Sequence, residues 1–369
     1  MFSKLKNWII PTVLTATLLV SGMFANGNDI VLNGGTYGDL VYSQSGTIDD
    51  PVVIFGNNST ARCVRIQGDY IELRGIISSK CPDHGIEITG SHNLIEGNIV
   101  TLAEYDRFTS SGYCSTSGGF GSAIKVRYDT SKLPPTDITI RNNLVYKNCG
   151  EGIAVTRGSN VLVENNTVYD SHQVNIYIDN SYDVVVRGND VSCRDWAKSP
   201  GTSGAGIALG EEDYGTAWGN RLKNVTMVGN VLNGCWFGII AWENPSPMVN
   251  INIDGNRIET GLFRAISLLT ADAVSVRITN NQVWNTSFYL ADPSGVYLEN
   301  NTKFVAGVTV TPTKSLTPIP PSLTPTRTPT RTPTKTPTLT PSPIPITPTA
   351  TPDCRDLYWG ETLLGNLCK

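Results

Sequence analysis

Only three histidines, His84, His92 and His172, occur in the 369 residues, and no two of the eight cysteines stand at a CxxC spacing. A structural zinc site is therefore not expected, and no metal ligands are assigned. Positive charge is not in excess: 28 basic residues stand against 32 acidic ones, and this total hides an uneven distribution. Lys4 and Lys6 lie near the start of the sequence, and four more basic residues with no acidic ones lie between Thr311 and Pro352. Setting these aside leaves 22 basic against 32 acidic residues in the rest. A body that acidic is a poor nucleic-acid binder, so no nucleic-acid partner is expected. Beyond the stretch Trp8–Met23 no segment is apolar for long enough to cross a bilayer. Helical periodicity is missing as well, which removes helical bundles and α/β layers from consideration.

What the chain does contain is a repeat. Between Asp137 and Val191 the segments DITIRNNLVYKNCGEGIAVTRGSN, VLVENNTVYDSHQVNIYIDNSYD and VVVRGNDV return with Asn143, Asn166 and Asn189 in one phase, at a period of about 23 residues. LIEGN upstream places Asn98 in that phase, and MVGN, NIDGN, RITNN and YLENN downstream place Asn230, Asn256, Asn281 and Asn301. Each unit carries short alternating apolar runs, such as Ile138 with Ile140, Val161 with Val163 and Ile176 with Ile178. Alternation of this kind sends successive side chains to opposite faces of a strand. Three short strands per period, joined by Asn- and Gly-rich corners, predict an all-β chain: a right-handed parallel β-helix of about eleven coils, roughly 50 Å long. An asparagine kept at one corner suits left-handed backbone angles, and its amide can bond the equivalent amide of the next coil.

The ends differ in character. Residues 1–25 have the charged, apolar, small-residue order of a secretory signal. The helix is expected over 26–309, a Pro/Thr-rich linker over 310–352 and a short Cys-containing segment over 353–369. TPTRTPTRTPTKTPTLTPSP cannot pack a core and favours an extended spacer. These features predict a secreted or cell-surface protein, attached through its C-terminal tail and monomeric. In that setting the cysteines are expected to be bridged, with Cys63–Cys81 and Cys354–Cys368 the nearest pairs.

Aligning coils on their inward pairs (Ile86/Ile88, Ile124/Val126, Ile153/Val155, Ile176/Ile178, Ile207/Leu209, Ile239/Ala241) turns the residues between them outward on one sheet. The outward column reads Glu87, Lys125, Ala154, Tyr177, Ala208 and Ile240. Beside it run Arg127, Thr156, Asp179, Gly210 and Trp242, and at the strand ends Arg157, Asn180, Glu211 and Glu243. Bases, carboxylates and aromatics on one face suit a sugar-binding groove. Insertions at 101–121, 192–204 and 211–224 flank it and bring Tyr105, Tyr113, Trp196, Tyr214 and Trp218. The expected partner is a polysaccharide, with Glu87, Trp218 and Trp242 as its contacts.

The opening IVLNGGTYGDLVYSQSGTIDDPVVI and the following VRIQGDYIELRGI resemble the first coils of polysaccharide lyases of the chondroitinase B and alginate lyase type, within the pectin-lyase-like superfamily. The repeat character extends over nearly all of residues 29–305. The resemblance implies a basic residue on a strand and an arginine one coil later. IKVRY supplies Arg127 with Lys125 beside it, and AVTRGSN supplies Arg157. It also implies calcium as a cofactor, but Phe120 and Ser122 stand where that family carries its acidic ligands, so the cofactor stays open.

Two chemistries fit the face. β-Elimination from a uronic acid needs a group to neutralise the carboxylate, a base for the C5 proton and an acid for the leaving oxygen. Lys125, Arg127, Arg157, Tyr177 and Asp179 are the candidates for these roles. Hydrolysis needs two carboxylates, for which Glu211 and Glu243 on neighbouring coils are the pair. A third reading is a tethered adhesin that binds glycan without cutting it.

Overall fold

The alternating apolar runs form strands, and successive coils stack them into three parallel sheets. In a computed structural model the described residues are 28–304, without 111, 113, 116–120, 194–203, 213–221, 243–247, 260–262, 270–272 and 285, together with the backbone of 356–359 and 362–366. The first sheet has 12 strands, the second 11 and the third 10; successive coils add strands to the sheets in turn, one coil giving the first sheet two short strands and the last giving the third sheet none among the described residues. The second sheet's strands count eleven coils, the number expected from the period. The sole helix among the described residues is the 3₁₀ turn Tyr105–Arg107 in the first insertion.

The register matches the sequence alignment residue for residue. Ile86, Ile124, Ile153, Ile176, Ile207 and Ile239 lie opposite one another along the third sheet, as do Ile88, Val126, Val155, Ile178, Leu209 and Ala241. All twelve are fully buried in one continuous apolar column. Pairing is parallel and each coil buries its neighbours' apolar side chains, so the stack has an interior only because the coils share it.

The phased asparagines stack from Asn98 to Asn301. The backbone N–H and Nδ2–H of Asn143 both donate to Oδ1 of Asn166 at 3.0 Å, and those of Asn166 donate to Oδ1 of Asn189 at 2.9 and 3.0 Å. The same pair of bonds joins each successive member to the next. The second Nδ2 hydrogen reaches back to a strand carbonyl, Ile140 O at 3.0 Å for Asn166. One expectation is corrected: the left-handed residue is not the stacked asparagine but the one before it. Asn142, Asn165, Gly188 and Gly229 have φ of 56, 54, 62 and 63°. The corner therefore needs two residues, one tolerant of positive φ and one with an amide to stack.

Cys63–Cys81 is bridged as expected, and Cys114–Cys149 and Cys193–Cys235 form two further disulfides. The Cys114 bridge pins the first insertion to a neighbouring coil. Residues 1–25, the spacer at 310–352 and the pair Cys354–Cys368 lie outside the described residues. In the second unit, Val310–Lys369, the strands Asp356–Trp359 and Thr362–Asn366 pair antiparallel.

Candidate functional site

The outward column of the third sheet runs Arg65, Glu87, Lys125, Ala154, Tyr177, Ala208, Ile240, Ser267, Tyr289 in register. The neighbouring column pairs Arg127, Thr156, Asp179 and Gly210. Backbone bonds from Arg157 N–H to Asp179 O and from Asn180 N–H to Gly210 O, both 3.0 Å, carry the alignment to Glu211 at the strand end. The described candidates from Glu87 to Glu211 are thus in the register the sequence gives them. Their surroundings divide them.

Over the first coils the site is charged. Glu87 is nearly buried, its side chain 6% exposed, and lies between two arginines: Arg65 on the preceding coil and Arg127 on the next, whose Nε is 2.5 Å from Oε1. Arg127 keeps 47% of its side chain in solvent. Glu87 is therefore a support that holds two guanidinium groups in place, and this corrects its expected role as a sugar contact. Lys125 sits beside them with 10% of its side chain exposed and Nζ 3.1 Å from Glu151 Oε2. The same oxygen accepts from Ser122 Oγ at 2.7 Å. Lys125 is held by a carboxylate, not presented free on the face as expected.

His84 completes this group. Its Nδ1 accepts from Ser122 N–H at 3.0 Å, which leaves the proton on Nε2. Burial pushes its pKa down to about 4; Lys125 and Arg127 push the same way, and Asp83 and Glu87 oppose them. The folded value lies below the ordinary 6.5, so between those two pH values the unfolded chain binds a proton that the folded chain does not. Stability contributed by neutral His84 is complete above pH 6.5 and is lost as pH falls toward 4, about 3 kcal/mol across the interval. His84→Asn, which keeps an acceptor for Ser122, is expected to flatten the pH dependence of urea unfolding between 6.5 and 4. An unchanged slope contradicts this. Burial also raises the carboxyl pKa of Glu104, whose Oε1 accepts from Gly121 N–H at 2.7 Å.

Over the middle coils the outward column is apolar and buried. Ala154, Tyr177, Ala208 and Ile240 form a second cluster with Val174, Ala205 and Phe237, and Trp242 packs half-buried against it. An open groove along the whole sheet is therefore corrected: outward is not exposed here. The Tyr177 hydroxyl donates to Glu212 Oε1 at 3.2 Å and leans over the next coil, where a Cβ on Gly210 would fall 2.1 Å from it. Asp179 and Glu211 are buried as well, so neither faces an open groove. Arg157, at φ 59°, places its guanidinium over the Tyr128 ring at 5.2 Å. The column Ala-Tyr-Ala-Ile was itself a signal of this second buried layer. Glu243, Trp218, Tyr113, Trp196 and Tyr214 lie outside the described residues.

The residues near the arginines do not fit calcium. Both Glu87 oxygens are taken by guanidinium groups, and Glu151 Oε2 is shared by Lys125 and Ser122. Among the described residues no three His, Cys, Asp or Glu side chains gather to hold a metal ion. Cys81 and His84 do stand at a CxxH spacing, but Cys81 is bridged to Cys63.

The model of the right-handed β-helix region family matches residues 62–258, more than half of the sequence. The chain belongs to this β-helix family. No curated protein matches it. Among solved structures it is similar to an alginate lyase from Paenibacillus sp. str. FPU-7, with 15% identity, TM-score 0.47, and 74% of this chain and 91% of that one covered. It is similar also to PfbA, a surface adhesin of Streptococcus pneumoniae, with 10% identity, TM-score 0.47, and 75% and 82% covered. A tailspike of Acinetobacter baumannii bacteriophage Fri1, a capsular polysaccharide depolymerase, matches with 13% identity, TM-score 0.46, and 76% and 58% covered. The β-helix therefore spans just over half of that tailspike.

Proposed function

We propose that this β-helix is an exported carbohydrate-active protein that takes an acidic polysaccharide against Arg65 and Arg127 and cleaves it by β-elimination. The observation that carries the reading is the pair of guanidinium groups fixed by nearly buried Glu87, with Arg127 half in solvent. A prearranged arginine fork matches a carboxylate in geometry and charge and loses little freedom on binding. Neutralising a uronate carboxylate there makes its C5 proton more acidic. Of the five candidates from the sequence, the two arginines do not deprotonate in proteins, Tyr177 leans away toward Glu212 and Asp179 faces no open groove, which leaves Lys125 as the base. As its neutral amine Lys125 takes the C5 proton and gives it to the glycosidic oxygen as the C4–O bond breaks and the C4–C5 double bond forms, which restores the amine.

The three disulfides support export, since such bridges persist in oxidising compartments. The Pro/Thr spacer supports attachment at the cell surface. The test is incubation with alginate, pectate, chondroitin and a neutral glycan, read by ultraviolet absorbance of the unsaturated product. Absorbance with an acidic polymer only is the expected result. Reducing ends without absorbance indicate a hydrolase using carboxylates such as Glu211, and binding without cleavage indicates an adhesin. Either outcome overturns the elimination reading.

A further inference from the structure

Beyond the buried middle of the third sheet, its last coils carry a second exposed cluster that the elimination chemistry does not use. Trp236 and Phe263 occupy the positions just before two successive strands, Phe237–Ala241 and Arg264–Leu268, and Tyr289 lies on the next, Phe288–Leu290. Their exposures are 39%, 42% and 39%, high for large aromatic residues on a rigid sheet. The rings touch in series: Trp236 and Phe263 centroids are 5.9 Å apart, and Phe237 meets Phe263 edge-on at 5.4 Å. The Arg264 guanidinium lies over two rings, 4.6 Å from the Phe263 centroid and 3.7 Å from that of Tyr289.

Arg264 differs from most arginines of the coil stack. Arg62, Arg65, Arg74, Arg127, Arg141, Arg187 and Arg257 each have a carboxylate within ion-pair distance. Among the described residues Arg264 has none. A guanidinium held over two rings and paired with no carboxylate can offer its N–H donors to a planar carboxylate. Exposed rings beside it offer flat apolar surface to the C–H face of a sugar. Charge and shape together select one ligand class.

We infer that Trp236, Phe263, Arg264 and Tyr289 form a distal subsite for an acidic sugar unit, its carboxylate on Arg264 and its ring against the aromatics. The inference deepens the function proposed above and rests on it for the polymer's identity. Arg127 and Arg264 lie on one side of one sheet, five coil steps apart, roughly 24 Å along the axis. Short oligosaccharides therefore reach one site and long chains reach both.

The test measures retention of the full-length protein in gels containing alginate, polygalacturonate or dextran, and cleavage of long and short chains of both acidic polymers. Arg264→Ala and Trp236→Ala are expected to weaken retention by the acidic polymers at least tenfold, to leave dextran without effect, and to raise KM for long chains while kcat on short ones is unchanged. A matching melting temperature shows that the fold survives, and Arg264→Lys separates charge from the planar fork: it should recover little. Unchanged retention in Arg264→Ala overturns the subsite. So does an equal loss on dextran, which would make the cluster a general apolar surface. If retention falls in these variants but the wild-type protein cuts nothing, the subsite stands and the elimination reading fails.

Discussion

Arg127→Ala is expected to lower formation of the unsaturated product by about 10²- to 10³-fold, the usual consequence of removing one fixed group that neutralises developing charge. The guanidinium is held by Glu87 and half in solvent, so its loss removes the partner of the substrate carboxylate at the point where the charge builds. Arg127→Lys is expected to remain low, since a single ammonium lacks the planar fork. Lys125→Met is expected to abolish the product as well, because Glu151 alone, bound to Ser122, has no path to the C5 proton. Initial rates on the responsive polymer, with melting curves beside them, check both. Wild-type rates in Arg127→Ala would remove the arginine from the chemistry.

The second large effect concerns the fold. Asn166→Ala is expected to destabilise the β-helix by about 3–5 kcal/mol, because it leaves several buried partners without a bond. Oδ1 of Asn166 accepts two hydrogen bonds from Asn143, and its Nδ2 donates to Asn189 Oδ1 and Ile140 O. Alanine supplies none of these. Asn165→Gly, one residue earlier, is expected to change stability by less than about 1 kcal/mol, since φ of 54° suits glycine without strain. Urea unfolding of the two variants side by side checks the contrast, and equal effects would mean the stacked amide is not what holds the corner.

The coils were legible in the sequence because a repeat states its own register. Once Asn143, Asn166 and Asn189 are aligned, the opposition of Ile124, Ile153 and Ile176 follows with no further information. The left-handed corner was misplaced by one residue because both positions of an Asn-Asn pair are asparagine, as at Asn142–Asn143. Elsewhere Gly188–Asn189 and Gly229–Asn230 separate the two roles.

The site was legible in position but not in surroundings. Periodicity says that Tyr177 points outward, yet whether an outward residue meets solvent depends on what other coils lay over it. The ion pairs were hidden for a related reason. Arg65, Glu87 and Arg127 stand 22 and 40 residues apart in sequence, and the first insertion breaks the even spacing that would have shown them as neighbours. Cys114–Cys149 and Cys193–Cys235 bridge neighbouring coils across the same kinds of irregularity, whereas Cys63–Cys81 lies within one period.

The most direct test of the account is the mass of the new chain ends released from whichever acidic polymer the wild-type protein cuts. Elimination at Arg127 and Lys125 predicts that every new non-reducing end is one water lighter than a hydrolysed end and absorbs in the ultraviolet. Fully hydrated ends without absorbance would contradict it.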